Sequence, residues 1–207
     1  ANGDWMSDLV LQYDHQGKRR WQARLSTGSS FAFNGDWTDT GTPGVEPVGL
    51  ADVNGDGLAD LVLQYDHQGK RLWQSRLSTG TGFAYNGNWS ETTTPNVVGF
   101  DLADANGDGM ADLLLQYDHQ GKRRWQARLS TGRAFAFNGD WTDTDTPGVI
   151  PVGKAWSTPP VLTLDVAPPA LAPPVLAPAG VFMTREGPGV GISGHNDLGV
   201  HPGIEID

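Results

Sequence analysis

Asp52-Val53-Asn54-Gly55-Asp56-Gly57-Leu58-Ala59-Asp60 runs straight into Leu61-Val62-Leu63-Gln64-Tyr65, and the rest of the chain is organised around this stretch. Oxygen-bearing side chains stand at 52, 54, 56 and 60, with Gly57 where the backbone must turn sharply. So many oxygens in so short a loop suit a hard cation, and calcium is its natural occupant. The nonapeptide returns as Asp104-Ala105-Asn106-Gly107-Asp108-Gly109-Met110-Ala111-Asp112, followed by Leu113-Leu114-Leu115. An EF-hand loop starts in the same way but needs a bidentate acid at about the twelfth position, where this chain has Leu63 and Leu115. The loop therefore closes early, on Asp60 and Asp112, and opens a strand rather than a helix.

Asn2-Gly3-Asp4, Asn54-Gly55-Asp56 and Asn106-Gly107-Asp108 are spaced 52 residues apart, and Gln12 to Arg19 recurs unchanged from Gln64 to Arg71 and from Gln116 to Arg123. Three copies of one unit fill residues 1 to about 156, divided at about 1–50, 51–102 and 103–156. Each unit reads as four short strands. Val97 to Ala103 leads into a loop, and Leu113 to Tyr117 is a continuous apolar run suited to a buried strand. Asp118-His119-Gln120-Gly121 makes a turn, and in the next run Trp125, Ala127 and Leu129 alternate with Arg124, Gln126 and Arg128. Phe135-Ala136-Phe137 follows, ended by the turn signal Asn138-Gly139. Four antiparallel strands per unit is the arithmetic of a propeller blade. The expected fold is all-β, with three four-stranded propeller-type blades and an extended tail.

Asp-x-Asn-x-Asp-Gly-x-x-Asp before an apolar strand, repeated beside Leu-Ser-Thr-Gly-x-x-Phe, resembles the FG-GAP/VCBS repeats of integrin-α-like β-propellers. The resemblance covers about three quarters of the chain. It implies that Asp52, Asn54, Asp56 and Asp60, and Asp104, Asn106, Asp108 and Asp112, are calcium ligands, joined by the carbonyls of Leu58 and Met110. The first copy keeps Asn2, Asp4 and Asp8 but lacks the leading Asp and has Trp5 in place of the turn glycine, so its site is degenerate.

Propellers close with about four to eight blades, and only three are written here. The first unit also lacks its leading strand, while a spare copy stands after the third as Val149-Ile150-Pro151-Val152-Gly153-Lys154. Strand exchange between two chains would complete a six-bladed ring and remove bare edges; an open arc covered by partners and a fragment of a longer propeller are the alternatives. Residues 157–180 are Pro- and Ala-rich, an extended linker. Residues 181–207 are Gly-rich and read as a docking tail toward another subunit or a neighbouring copy.

The net charge of -10 disfavours nucleic acid, and no run of about eighteen apolar residues marks a membrane span. Cysteine is absent, and loops of this type find their calcium outside cells, which points to a secreted or cell-surface protein. Tyr13, Tyr65 and Tyr117 with Trp21, Trp73 and Trp125 read as filling between blades; Trp37, Trp89 and Trp141 are the better candidates for exposed ligand contacts. Asp14-His15 and its two equivalents lack a nucleophile, and threefold repetition is poor material for one active site. Lys18-Arg19-Arg20 and its equivalents form small basic patches that suit a solvated face or an anionic glycan. Gly189 to Gly194 matches a dinucleotide fingerprint without its strand-turn-helix setting, and His195, Asp197, His201 and Glu205 lack metal-site spacing. The sequence reading is a calcium-binding, non-enzymatic module for adhesion or assembly, with a protein, a second copy or a glycan as partner. A polysaccharide-active, lyase-like enzyme is the alternative.

Overall fold

Eleven strands, all antiparallel to their neighbours, make three separate sheets, and no helix occurs among the described residues. A computed structural model of the chain describes residues 1–146 and 148–151, all within one compact unit, Ala1–Ser157. The linker at 157–180, the tail at 181–207 and the second half of the spare strand at 149–154 lie outside the described residues.

The first sheet has three strands, β1 (Leu9–His15), β2 (Lys18–Ser26) and β3 (Phe31–Thr40). The second runs in chain order through β4 (Glu46–Ala51), β5 (Asp60–His67), β6 (Lys70–Ser78) and β7 (Phe83–Thr92). The third repeats it as β8 (Val98–Ala103), β9 (Asp112–His119), β10 (Lys122–Ser130) and β11 (Phe135–Thr144). Among the described residues the strand that begins the other two sheets has no counterpart beside β1, whose outer edge is unpaired.

The hairpin between the second and third strands of each full unit turns on Gln-Gly. Gln16, Gln68 and Gln120 have φ near +50°, followed by Gly17, Gly69 and Gly121 near +75°. Positive φ at both central residues is the two-residue turn whose twist matches the flanking strands.

The Asn-Gly pairs behave differently from the turn expected of them. Strand β11 continues through Asn138-Gly139, and its register with β10 slips between Gln126↔Asp140 and Arg128↔Phe137. Gly139, at φ +83°, absorbs a β-bulge. The same slip occurs at Asn34-Gly35 and Asn86-Gly87. The asparagine then accepts a hydrogen bond from the indole N–H of the next tryptophan, as in Trp37 Nε1 to Asn34 Oδ1 at 2.9 Å.

Two cores lie between the sheets. One joins Trp21, Trp37 and Val45 to Leu61, Leu63 and Phe83; the other joins Trp73, Trp89 and Val97 to Leu113, Leu115 and Phe135. Tryptophans 21 and 73 fill these junctions, as the repeat pattern predicts. The strict alternation expected on β10 does not hold, because Gln126 and Arg128 are buried too. Arg128 faces the second sheet, where it lies over the Trp73 ring, so that side of β10 is covered while Trp125 on the other face is only half-buried.

Candidate functional site

Strand β4 pairs with β5 through Ala51↔Asp60, so residues 52–59 must turn back within one short loop. The Asp52 carboxylate organises that turn. Its Oδ1 accepts the backbone N–H of Gly55 at 2.7 Å, with Asn54 and Asp56 at 3.2 Å, and its Oδ2 accepts Gly57 N–H at 2.7 Å. Gly57 has φ +83°, a conformation that favours glycine. Asn54 Oδ1 accepts Asp56 N–H, its Nδ2 donates to Asp56 Oδ2, and Asp56 Oδ1 accepts Leu58 N–H. The loop from Asp104 to Asp112 repeats this: Asp104 accepts Gly107, Asp108 and Gly109, and Asp108 accepts Met110.

Asp60 closes the loop from a different depth. It is fully buried, and its two oxygens accept the backbone N–H groups of Ser78 at 2.7 Å and Val53 at 3.2 Å. It thereby ties the loop's start to the end of β6. Burial pushes its carboxyl up to about 6 against the pull of those two amides, and the charges of Asp56 and Asp52 push the same way. Asp112 is its equal, accepting Ser130 and Ala105, with its carboxyl raised chiefly by burial.

Residues 52–115 match the family model described as FG-GAP-like repeat. The chain carries an FG-GAP-like repeat. The matched segment begins on Asp52 and ends on Leu115, so it contains both complete acidic loops and the strands β5 to β8 between them. No curated protein and no solved structure matches the chain significantly.

The donor set of each FG-GAP-like loop is all oxygen, the chemistry a hard divalent cation requires. Carboxylates also keep lone pairs beyond the N–H bonds they accept. Among the described residues, however, no three acidic or histidine side chains converge closely enough to form a metal centre by themselves. The loop's own amides hold the oxygens instead. Leu58 and Met110 have a second role: the Met110 side chain lies over Gly55, and that of Leu58 over Gly3, so each loop rests on the loop before it.

The first loop keeps part of the pattern. Asp4 accepts Met6 N–H, Asn2 Oδ1 accepts Asp4 N–H, and Asp8 accepts Asn2 and Ser26 N–H. Trp5 adopts the left-handed backbone of the missing glycine, with φ +66° and its side chain in solvent.

Of the three tryptophans expected as exposed contacts, Trp37 and Trp89 are buried, set edge-on against Phe83 and tilted against Phe135 at 5.1 and 5.2 Å between centroids. Only Trp141 is exposed. The next sheet accounts for the burial: Trp141 follows the same bulge but has no described sheet beyond it. The basic patches are neutralised, since Lys18, Arg19 and Arg20 pair with Asp39, Asp14 and Asp36, and Lys122, Arg123 and Arg124 with Asp143, Asp118 and Asp140. In the middle unit Lys70 pairs with Glu91 and Arg71 with Asp66. The aspartate beside each histidine is thus held by an arginine.

A cavity of about 390 Å³ opens between the second and third sheets, lined among others by Glu91, Tyr117, Phe137 and Asp140. Its wall includes Arg128, buried with its guanidinium 5.2 Å from the Trp73 ring and 5.9 Å from that of Phe137. Arg128 donates to Gln126 Oε1, Ser90 Oγ and the Glu91 carbonyl, and has no carboxylate partner among the described residues. Burial lowers its pKa. This arginine was read from sequence as lying on a polar face. The signal that could have found it is its recurrence as Arg24, Arg76 and Arg128, three residues after each core tryptophan.

Proposed function

We propose that this chain is a secreted, calcium-stabilised, propeller-type module that works by binding and assembly rather than by catalysis. One observation carries the reading: two FG-GAP-like loops, 52 residues apart, cluster Asp, Asn and Asp side chains at one turn and tie that turn to a buried Asp. In each loop Asp52, Asn54, Asp56 and Asp60, or Asp104, Asn106, Asp108 and Asp112, would hold the ion with the carbonyls of Leu58 and Met110. The ion supplies positive charge where three carboxylates otherwise repel one another. The role is structural, fixing the passage from β4 to β5 and from β8 to β9. Titration calorimetry of the purified chain should detect two calcium sites, and chelation should lower its Tm, because a ligand bound only to the native state stabilises by mass action. Asp56→Ala and Asp108→Ala should each remove one site. A heat-silent titration with an unchanged melting curve in chelator would overturn the calcium reading.

A glycan is the second candidate ligand, favoured by the cavity at Arg128. An exposed aromatic ring beside Tyr117, Asp140 and a buried guanidinium combines a stacking face with fixed hydrogen-bonding groups. A glycan array answers this directly, with Phe137→Ala as the control that should abolish any hit.

A further inference from the structure

The two inner junctions of the stack are near copies, and each end of the stack carries half of the same junction with nothing opposite it among the described residues. At the inner junctions Trp37 (7% exposed) meets Phe83 (4%), and Trp89 (4%) meets Phe135 (3%). The series continues with Trp141, which is 47% exposed, and it begins with Phe31, which is 51% exposed. These residues occupy the same places in their repeats.

Several other inner contacts show the same pattern. Arg76 lies 6.0 Å from the Trp21 ring and donates to Thr38 Oγ1; Arg128 lies 5.2 Å from the Trp73 ring and donates to Ser90 Oγ. The next pair would be Trp125 and Thr142 with an arginine, and Arg24 is the one whose preceding sheet is missing. Ser78 Oγ donates to the Ala1 carbonyl and Ser130 Oγ to that of Val53, which leaves Ser26 and Ala105 as the unmatched donor and acceptor. Leu58 rests on Gly3 and Met110 on Gly55, while nothing lies over Gly107 and Met6 is exposed. Leu9 and Leu11 are exposed on β1, where their equivalents Leu61, Leu63, Leu113 and Leu115 are sealed inside the cores.

We propose that a second copy of the chain docks head to tail on this one, the third sheet of one copy against the first sheet of the other, repeating the inner junction. Trp141 then meets Phe31 of the second copy, Trp125 and Thr142 meet its Arg24, and Gly107 receives its Met6. A second copy is the occupant because the face it must match is one the chain already matches twice. The contact joins two different surfaces, so it either closes into a ring or runs on as a filament. Two copies supply six sheets, within the about four to eight at which blades close. Val149-Ile150-Pro151-Val152-Gly153-Lys154-Ala155 repeats five of the seven residues of Val45 to Ala51 and follows the third sheet as β4 follows the first.

Light scattering of the full chain over a range of concentrations tests this with calcium and with chelator, so a failed calcium reading and a failed docking reading are told apart. The expected mass is twice that of one chain. Trp141→Asp and Phe31→Asp, both on exposed faces, should each give a folded single chain with an unchanged circular dichroism spectrum. Mixed in equal amounts, they should recover a dimer, because one intact Trp141–Phe31 contact re-forms between them. A wild-type chain that stays single at every concentration overturns the proposal. So does a mass that neither variant alters, or a mixture that fails to recover, since a symmetric contact would behave in that way.

Discussion

Trp73 and Trp125 sit in almost the same sequence, Arg-Leu-Trp-Gln-Ser-Arg and Arg-Arg-Trp-Gln-Ala-Arg, yet Trp73 is sealed inside a core and Trp125 is half-buried. The difference lies in what is stacked beyond each one: the third sheet covers Trp73, and no described sheet follows to cover Trp125. In a repeat protein stability is a sum of terms within units and terms between neighbours. This pair separates the two, because the first term is nearly constant and only the second changes.

The largest effect should therefore come from Trp73→Ala. Deleting a buried tryptophan costs about 3–5 kcal/mol, read as a fall in the denaturant midpoint. Trp125→Ala, measured in dilute solution, should cost well under half as much. Equal losses would mean that the end of the stack is covered even in the single chain.

Next in size come the clasps. Asp8, Asp60 and Asp112 each accept two backbone N–H groups, one from their own loop and one from the end of the strand paired with the one they open. Substituting alanine strands two buried donors, and an unsatisfied donor costs about 1–3 kcal/mol. In chelator, Asp8→Ala and Asp60→Ala should lose similar stability by urea unfolding. In calcium the loss at Asp60 should grow while that at Asp8 does not, because the first loop lacks the leading Asp. An identical calcium response at both positions would make the acid at 60 a clasp alone.

The sequence made these clasps half visible. The spacing of Asp52, Asn54, Asp56 and Asp60 led to an acidic turn before a strand, and the structure has that turn. Sequence did not separate the exposed residues that shape the loop from the buried residue that fastens it, because the fastening partner, Ser78, is 18 residues away across a strand pair. The strands were legible from apolar runs between Gly-rich turns, as were the three units from their identity. The fate of Asn34-Gly35 and its equivalents was not, since a left-handed glycine serves a turn or a bulge equally and only the partner strand decides. The burial of Trp37 and Trp89 was not legible either, since it depends on the sheet that follows each of them.

A smaller effect compares the loops through their turn residue. Trp5 holds φ +66° with a solvent-exposed side chain, where Gly57 and Gly109 hold +83° and +88°. A left-handed backbone costs a non-glycine residue about 1–2 kcal/mol, partly offset by the roughly 0.5–1 kcal/mol of chain entropy that glycine loses on folding. Trp5→Gly should raise the Tm slightly, and Gly57→Ala, whose added Cβ meets nothing within 4 Å, should lower it by a similar amount. Shifts of the same sign would show that the first loop does not share the backbone of the second.

The smallest effect uses a substitution already present in the chain. In the first unit the Tyr13 hydroxyl donates to both oxygens of Asp36 at 2.8 Å and Arg20 Nη1 donates at 2.9 Å; in the middle unit Asn88 and Leu72 replace the acid and the base, and Tyr65 donates to Asn88 Oδ1. The Tyr13 hydrogen bond, and then Arg20, hold the Asp36 carboxyl below the usual carboxylate range. A group whose pKa is depressed on folding contributes stability that is fully present above its unfolded value, about 3.9, and is lost as pH falls through the folded one. Arg20→Leu combined with Asp36→Asn converts the first unit to the middle unit's chemistry. Parent and variant should differ at neutral pH and converge as pH falls through the folded-state value, on the acid side of about 3.9. The site is exposed, so about 1 M salt should shrink the difference at neutral pH. A gap that persists in acid would place the contribution in packing of the Arg20 stem over β2 and β3 rather than in the charge of Asp36.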